Sequence, residues 1–219
     1  MYITASIDRV TVAPSWSRAA TAEFRRLGEV PAATVGDALQ RMTVMDGGIR
    51  LFTGPTALLG SALPVDVRSG DNLAIHRALD DARPGDVLVV NGHGDLTRAL
   101  IGDLIGEIMV NCGVVGAVVD GAIRDVRALT EMGLAVYARA VTPAGPFKDG
   151  PGVIGGPVAV GGVVVAAGDV LVGDSDGVVV VPRRRVQEVV DAVGAIGEYE
   201  ETLRQRILAA RPDGPVVAR

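Results

Sequence analysis

Asp103, Arg124 and Asp125 are the side chains whose types and settings could do chemistry together. Asp103 opens a helix-period stretch that reaches a glycine turn at Gly113. A wholly apolar run, 114–119, follows; it ends in Asp120-Gly121, and Arg124 and Asp125 then stand side by side. Open α/β sheets bind ligands beyond the carboxyl ends of their strands, so charges just past an apolar strand are candidates for a site. Asp125 offers a hard oxygen ligand to a divalent cation. Arg124 offers a planar fork to a carboxylate or an enolate oxygen. The same pair also reads as a surface ion pair, or Asp125 as the cap of the helix that follows. Asp103 has two readings as well. A helix first turn favours an aspartate through its macrodipole, and the free N–H groups of Gly102, Asp103, Leu104 and Ile105 could hold an anion.

Other polar residues read more plainly. His93, in Asn-Gly-His-Gly-Asp, could be a phosphoacceptor or a general base, but a loop histidine bonded to backbone is the simpler account. His76 falls in a helix and reads as a surface residue. Asp120 reads as a turn residue, and Asp174-Ser175-Asp176-Gly177 as a hairpin turn, because no glutamate closes a calcium loop at the required distance. Cys112 lies on an apolar stripe and reads as buried. Lys148, the chain's one lysine, sits in a Gly/Pro loop with no sign of the desolvated pocket that a Schiff-base lysine needs. Glu198, Glu200 and Glu201 form a charge run on a helix. Such a run is usually a solvated face, and it could also place a carboxylate at a neighbouring subunit's site.

The elements that must position these residues follow from periodicity. Helices are expected over 15–27, 34–42, 72–82, 99–112, 126–132 and 185–210, with Ser15 or Ser17, and Thr34, as N-caps. Strands are expected over 52–59, 63–67, 87–90, 114–119, 135–138, 158–160, 163–166, 170–172 and 178–181, with glycine loops at 91–95 and 142–156. Residues 1–14 could add an edge strand. The long charged C-terminal helix suits packing on another subunit. The alternation of strands and helices predicts an α/β fold, taken as one domain over 1–219 with a core at about 30–182 and a helical arm at about 185–210.

Composition narrows the partners. A net charge of −5 argues against a nucleic-acid surface. One cysteine excludes an internal disulfide and fits a reducing cytoplasm. With two histidines and one cysteine there is no typical zinc set, so a metal would rest on carboxylates and water, as Mg²⁺ or Mn²⁺ does. No signal peptide is expected, because charged residues occur by position 9 with no apolar core. The apolar region 158–181 is broken by aspartates and glycines, so no membrane span is expected.

Taken together these residues resemble the RraA-like family. Its signature is an Asp, twenty intervening residues and Arg-Asp, matched here by Asp103, residues 104–123 and Arg124-Asp125. The flanks agree: Thr-Val-Gly-Asp-Ala-Leu at 34–39, Gly-Asp-Val-Leu-Val-Val at 85–90, Gly-Asp-Leu-Ile at 102–105 and Asp-Gly-Val-Val-Val-Val-Pro at 176–182. The family includes divalent-metal class II aldolases acting on 4-hydroxy-4-methyl-2-oxoglutarate and 4-carboxy-4-hydroxy-2-oxoadipate, and regulators of ribonuclease E activity. The resemblance implies a swivelling β/β/α domain assembled as a homotrimer or hexamer, with sites between subunits. It implies Asp125 as ligand to Mg²⁺ or Mn²⁺, the 102–105 turn as holder of the 2-oxo acid carboxylate, and Arg124 at the enolate oxygen. Asp103 would hold water at the metal and pass protons. A glutamate from the neighbouring subunit's C-terminal helix would complete the site, with Glu201 the best match and Glu198 or Glu200 in reserve. Oxaloacetate decarboxylation is the expected companion activity. The alternative is a regulator that binds a ribonuclease or helicase partner without turnover.

Overall fold

The computed structural model describes residues 8–55 and 57–210. In chain order the elements are β1 (Val10–Val12), α1 (Thr21–Phe24) running into a 3₁₀ turn (Arg25–Glu29), α2 (Ala32–Ala38), β2 (Arg50–Thr53), β3 (Leu58–Val67) and α3 (Leu73–Ala78). Then come β4 (Asp86–Ile101), α4 (Asp103–Asn111), β5 (Gly116–Ile123), α5 (Val126–Glu131), β6 (Ala135–Val141) and β7 (Gly152–Ile154). The chain continues with β8 (Val158–Val160), β9 (Val163–Val165), β10 (Val170–Asp174), β11 (Gly177–Val181) and α6 (Val186–Ala209). This is the mixed α/β architecture with a long C-terminal helix that the periodicities predict.

The main sheet runs β1-β7-β3-β4-β5-β6-β2, with β10 paired to the first residues of β3, on the edge whose last residues pair with β7, and β11 beyond it. Its centre, β3 to β6, is parallel. Those strands are buried along most of their length, which is why they read as continuous Val/Ala/Leu runs rather than as alternations. One face is covered by α3, α4 and α5, which contribute Ile75, Leu79, Ile105, Met109 and Leu129 to a shared core. The other face, which includes Tyr137 of β6, packs on the β8–β9 hairpin. A third cluster lies between α2, α6 and the β10–β11 hairpin. Among the described residues no helix is long and apolar enough to cross a membrane.

Several boundaries differ from the sequence reading. The helix expected over 15–27 begins only at Thr21, and neither serine caps it. The helix expected over 34–42 starts two residues earlier, capped by Pro31, and Thr34 is a buried interior residue. The 52–59 strand is two strands. Gly54 takes φ +73, and a Cβ there would stand 2.0 Å from the Leu134 carbonyl, so the chain bends sharply and β2 and β3 join different parts of the sheet. The 1–14 edge strand survives as β1, parallel to β7, while residues 1–7 lie outside the described part. The Asp176-Gly177 hairpin is present, joining β10 and β11.

Two differences bear on function. The 99–112 helix starts at Asp103; residues 99–101 are the end of β4, which bulges through the 91–95 glycine loop and rejoins β5 at Ala99–Ala122 and Ile101–Ile123. Leu100 and Ile101 match the helical stripe by chance of spacing, and pairing with β5 overrides it. Asp120 is not a turn residue. It sits inside β5, buried, bonded to Arg139 and to the Gly161 amide at 2.8 Å.

Candidate active site

β4 and β5 run parallel, and their ends place the two halves of the site together. β4 leads through Gly102 into α4, and β5 leads directly into Arg124-Asp125, with the Arg124 amide bonded to the Ile101 carbonyl at 2.9 Å. Gly102 is what allows the close approach. A Cβ on it would lie 2.5 Å from Asp125 Oδ2 and 2.9 Å from Arg124 Nε.

Asp125 takes the left-handed conformation, φ 55 and ψ 37, which non-glycine residues adopt seldom and aspartate more readily than most. It stands at the N-terminus of α5 but makes no side-chain cap. Instead Oδ2 accepts from the Asp103 amide at 3.2 Å and lies 3.1 Å from Arg124 Nε. The capping reading therefore fails, and the side chain is turned toward the first turn of α4. The Leu104 amide donates to Asp103 Oδ1 at 2.8 Å. Two amides of the 102–105 turn thus already hold carboxylate oxygens, as helix N-termini do.

A pocket of about 310 Å³ opens beside this turn, near the low end of the ~300–1,000 Å³ usual for small-ligand sites. Gly102, Asp103, Leu104, Ile105 and Arg124 all line it. Leu104 points outward at 65% exposure. Asp125 stands beside the pocket, behind Arg124, rather than in its wall. Arg124 and Asp125 side chains are each 36% exposed, and Arg124's two terminal nitrogens have no acceptor among the described residues. Glu201 is elsewhere, exposed on α6 and bonded to Gln205 on the same helix at 2.6 Å. Glu198 and Glu200 are exposed with it. Beyond Val193 no residue of α6 is buried, and Tyr199, Leu203 and Ile207 form an exposed apolar stripe at four-residue spacing, with nothing packed on it among the described residues.

Among the described residues no group of three His, Cys, Asp or Glu could hold a metal. Asp125 Oδ1 has no donor bonded to it, and the Asp103 and Glu107 carboxylates line the adjoining pocket. One or two carboxylates with several waters are the usual holding of Mg²⁺, so the residues fit a largely hydrated hard cation and not a fully protein-ligated one.

The structure adds residues that sequence reasoning missed. Asn72, His76 and Lys148 line the same pocket as Arg124. His76 is not a surface residue. It is 6% exposed, and burial first, then the Lys148 ammonium, pushes its pKa down to about 4. Lys148 lines the pocket wall but remains exposed, and its pKa is lowered first by the partial burial of its ammonium and then by the Arg124 charge. Its being the only lysine was the one signal available. His93 is exposed away from this pocket, 3.3 Å from Asp66 Oδ1. Cys112 is half-buried, with its thiol 3.4 Å from the Leu79 carbonyl.

Comparison with known proteins bears directly on this geometry. The Aldolase/RraA family model matches residues 32–180. The chain belongs to the RraA-like family. A relative from Halalkalibacterium halodurans, named "Putative 4-hydroxy-4-methyl-2-oxoglutarate aldolase", is 40% identical over 160 residues, 73% of this chain and 76% of that one. Among solved structures, Streptomyces coelicolor RraAS2, described as an unusual member of the RNase ES inhibitor RraA protein family, superposes with TM-score 0.79 at 31% identity, covering 87% of this chain and 99% of that one. An uncharacterized protein from Pseudomonas syringae shares the fold, with TM-score 0.81 at 22% identity over 90% of this chain and 93% of that one.

Proposed function

We propose that the chain is a divalent-metal-dependent aldolase that cleaves a 4-hydroxy-2-oxo dicarboxylic or tricarboxylic acid to pyruvate and a second 2-oxo acid. The observation that carries this reading is the meeting of Arg124, Asp125 and the amide-rich first turn of α4 at one pocket, with bonding capacity left over on both side chains. The aldolase name carried by the 40% identical relative supports it.

The substrate's 1-carboxylate binds at the 102–105 amides, displacing the carboxylate oxygens that hold them in the free protein. Arg124 turns its free terminal nitrogens to the 2-oxo oxygen. The 4-hydroxyl gives its proton to the Asp103 carboxylate, the C3–C4 bond breaks, and its electron pair becomes the enolate of pyruvate. Arg124 stabilises the charge gathering on that oxygen, a contribution that grows toward the transition state. Asp103, at the mouth of the turn, passes the proton that C3 then takes up. A Mg²⁺ or Mn²⁺ ion held through Asp125 would supply Lewis-acid polarisation of the 2-oxo group. Decarboxylation of oxaloacetate passes through the same enolate and follows from the same groups.

Glu201 completes the site from a neighbouring subunit, in a homotrimer or a hexamer of two trimers. The exposed apolar stripe of α6 beside it supports packing of that arm against another copy.

Pyruvate release coupled to lactate dehydrogenase tests the reading. Protein loaded with Mg²⁺ or Mn²⁺ is expected to release pyruvate from 4-hydroxy-4-methyl-2-oxoglutarate and from oxaloacetate, and to stop when a chelator is added. Metal-loaded protein inert on every 4-hydroxy-2-oxo acid and on oxaloacetate would end it. Mixing inactive Arg124→Ala and Glu201→Gln chains should restore part of the activity if sites are shared between subunits. No recovery would return Glu201 to a solvated face.

The similarity to RraAS2 favours a second reading, a regulator that binds a ribonuclease without turnover. Co-purification with a ribonuclease E type enzyme, in the absence of pyruvate release, would select it.

A further inference from the structure

The pocket holds a second cation that the cleavage chemistry leaves unused. Lys148 Nζ lies 3.0 Å from Asn72 Oδ1 and 3.2 Å from His76 Nε2. Both partners are neutral acceptors. Asn72 Nδ2 donates to the Leu100 carbonyl at 3.0 Å, which fixes Oδ1 toward the lysine. His76 stays uncharged, and its Nε2 lone pair faces the ammonium, so the ring proton sits on Nδ1. An ammonium has three N–H donors, and two are used here. Among the described residues no carboxylate forms an ion pair with Lys148. The pocket wall therefore carries an ammonium held by neutral acceptors, without a direct ion pair and with one donor to spare, and the buried Asp71 carboxylate acts on it only at longer range.

This charge is held by design of the backbone around it. Asp71 is 1% exposed, and its carboxylate accepts three amides: Leu73 at 2.9 Å through Oδ1, and Asp149 at 2.7 Å and Gly150 at 3.0 Å through Oδ2. Two backbone bonds lie alongside, Phe147 N–H to the Gly70 carbonyl at 2.8 Å and Asn72 N–H to the Phe147 carbonyl at 3.0 Å. One buried carboxylate thus ties the start of α3, which carries Asn72 and His76, to the loop that carries Lys148.

We propose that Lys148, held by Asn72 and His76, is a second carboxylate subsite, and that Asp71 is the residue that positions it. The ligand class is an oxo acid with a carboxylate at each end, spanning from the 102–105 amides and Arg124 to Lys148. This rests on the aldolase reading for the first carboxylate and adds the recognition of the second.

The matched probes are 2-oxoglutarate and 2-oxopentanoate. They have the same chain length, differ in the distal carboxylate, and lack the 4-hydroxyl needed for cleavage. Calorimetric titration of the full chain with Mg²⁺ is expected to show 2-oxoglutarate binding at least about tenfold more tightly, the scale of one hydrogen bond to a charged group. Lys148→Met should remove that preference and leave 2-oxopentanoate affinity unchanged. Asp71→Asn should lose the same preference selectively, whereas general loosening of the fold would weaken both ligands alike. Equal affinities in the native protein, a parallel loss of both ligands in Lys148→Met, or borohydride trapping of either oxo acid on Lys148 would overturn the proposal. If the preference is found and lost as stated while no 4-hydroxy-2-oxo acid is cleaved, the aldolase reading fails and the subsite stands.

Discussion

β5 and the turn that follows it bring two aspartates, five positions apart, against two arginines, and the pairs have opposite characters. Asp120 and Arg139 consume each other. Arg139 donates through Nε and Nη2 to Asp120, and through Nη1 and Nη2 to Asp46 at 3.1 and 3.0 Å, while the Gly161 amide takes the remaining capacity of Asp120. Arg139's pKa is raised by those bonds, Asp120 first and Asp46 next. Arg124 and Asp125 touch through one atom of each, and the rest of both groups faces outward. The first pair is saturated and ties β5 to β6 and the β8–β9 hairpin. The second keeps free donors and a free carboxylate oxygen beside a pocket. Residue type does not separate a structural pair from a chemical one here; unused valence at a cavity does.

The largest expected effect breaks the outward pair. Arg124→Ala or Asp125→Asn should cut pyruvate release by about 10³-fold, the scale of removing one preorganised charge stabiliser. Stability should change little, because asparagine also tolerates the left-handed backbone at 125. Turnover assays beside urea denaturation check both halves. A variant that unfolds while retaining activity per folded molecule would reverse the assignment.

The inward pair should behave the other way. Asp120→Ala leaves Arg139 partly buried with one carboxylate partner instead of two. A loss of about 2–3 kcal/mol in unfolding free energy is expected, below the ~3–5 for breaking a fully buried pair, because Arg139 is a quarter exposed and keeps Asp46. Activity per folded molecule should survive. A selective loss of turnover at unchanged stability would move Asp120 into the site.

This contrast also explains what the sequence could show. Asp103, Arg124 and Asp125 were legible because each is next to a strand or helix end, and element ends are marked by local pattern. The β3–β6 strands were legible as apolar runs for the same reason. Asp120 was misread because Asp-Gly signals a turn locally, whereas its partners lie 19 and 41 positions further along. His76 was misread because Arg77 and Asp80 beside it suggest a solvated face. What buries it is the 142–150 loop, returning some seventy residues later. The start of α4 was misplaced because 99–101 extend its apolar period, although Gly102 before Asp103 was a usable boundary. Local signals mark the half of the candidate site built from consecutive segments. The half built by chain return had none.

His76 gives the smallest effect and a third kind of contact, a cation held by a neutral base. In the unfolded chain its pKa is near 6.5, and in the folded protein it is about 4, because burial and the Lys148 ammonium both disfavour a second charge. Between those values the unfolded state binds a proton and the folded state does not. Stability therefore falls as pH drops through that window, is level above about 6.5, and has lost the full contribution below about 4. From pH 7 to pH 5 the loss from this one group is about 2 kcal/mol. Aspartates such as Asp46, whose pKa is held down first by its bond to Arg139, add their own acid sensitivity at lower pH. The informative quantity is thus a difference: His76→Gln keeps an acceptor for Lys148 and has no proton to gain. Urea unfolding at pH 7 and pH 5 should show the native chain losing about 2 kcal/mol more than the variant. Parallel losses would mean that His76 is charged or solvated in the folded protein, and Lys148 would then lack the neutral acceptor that holds it.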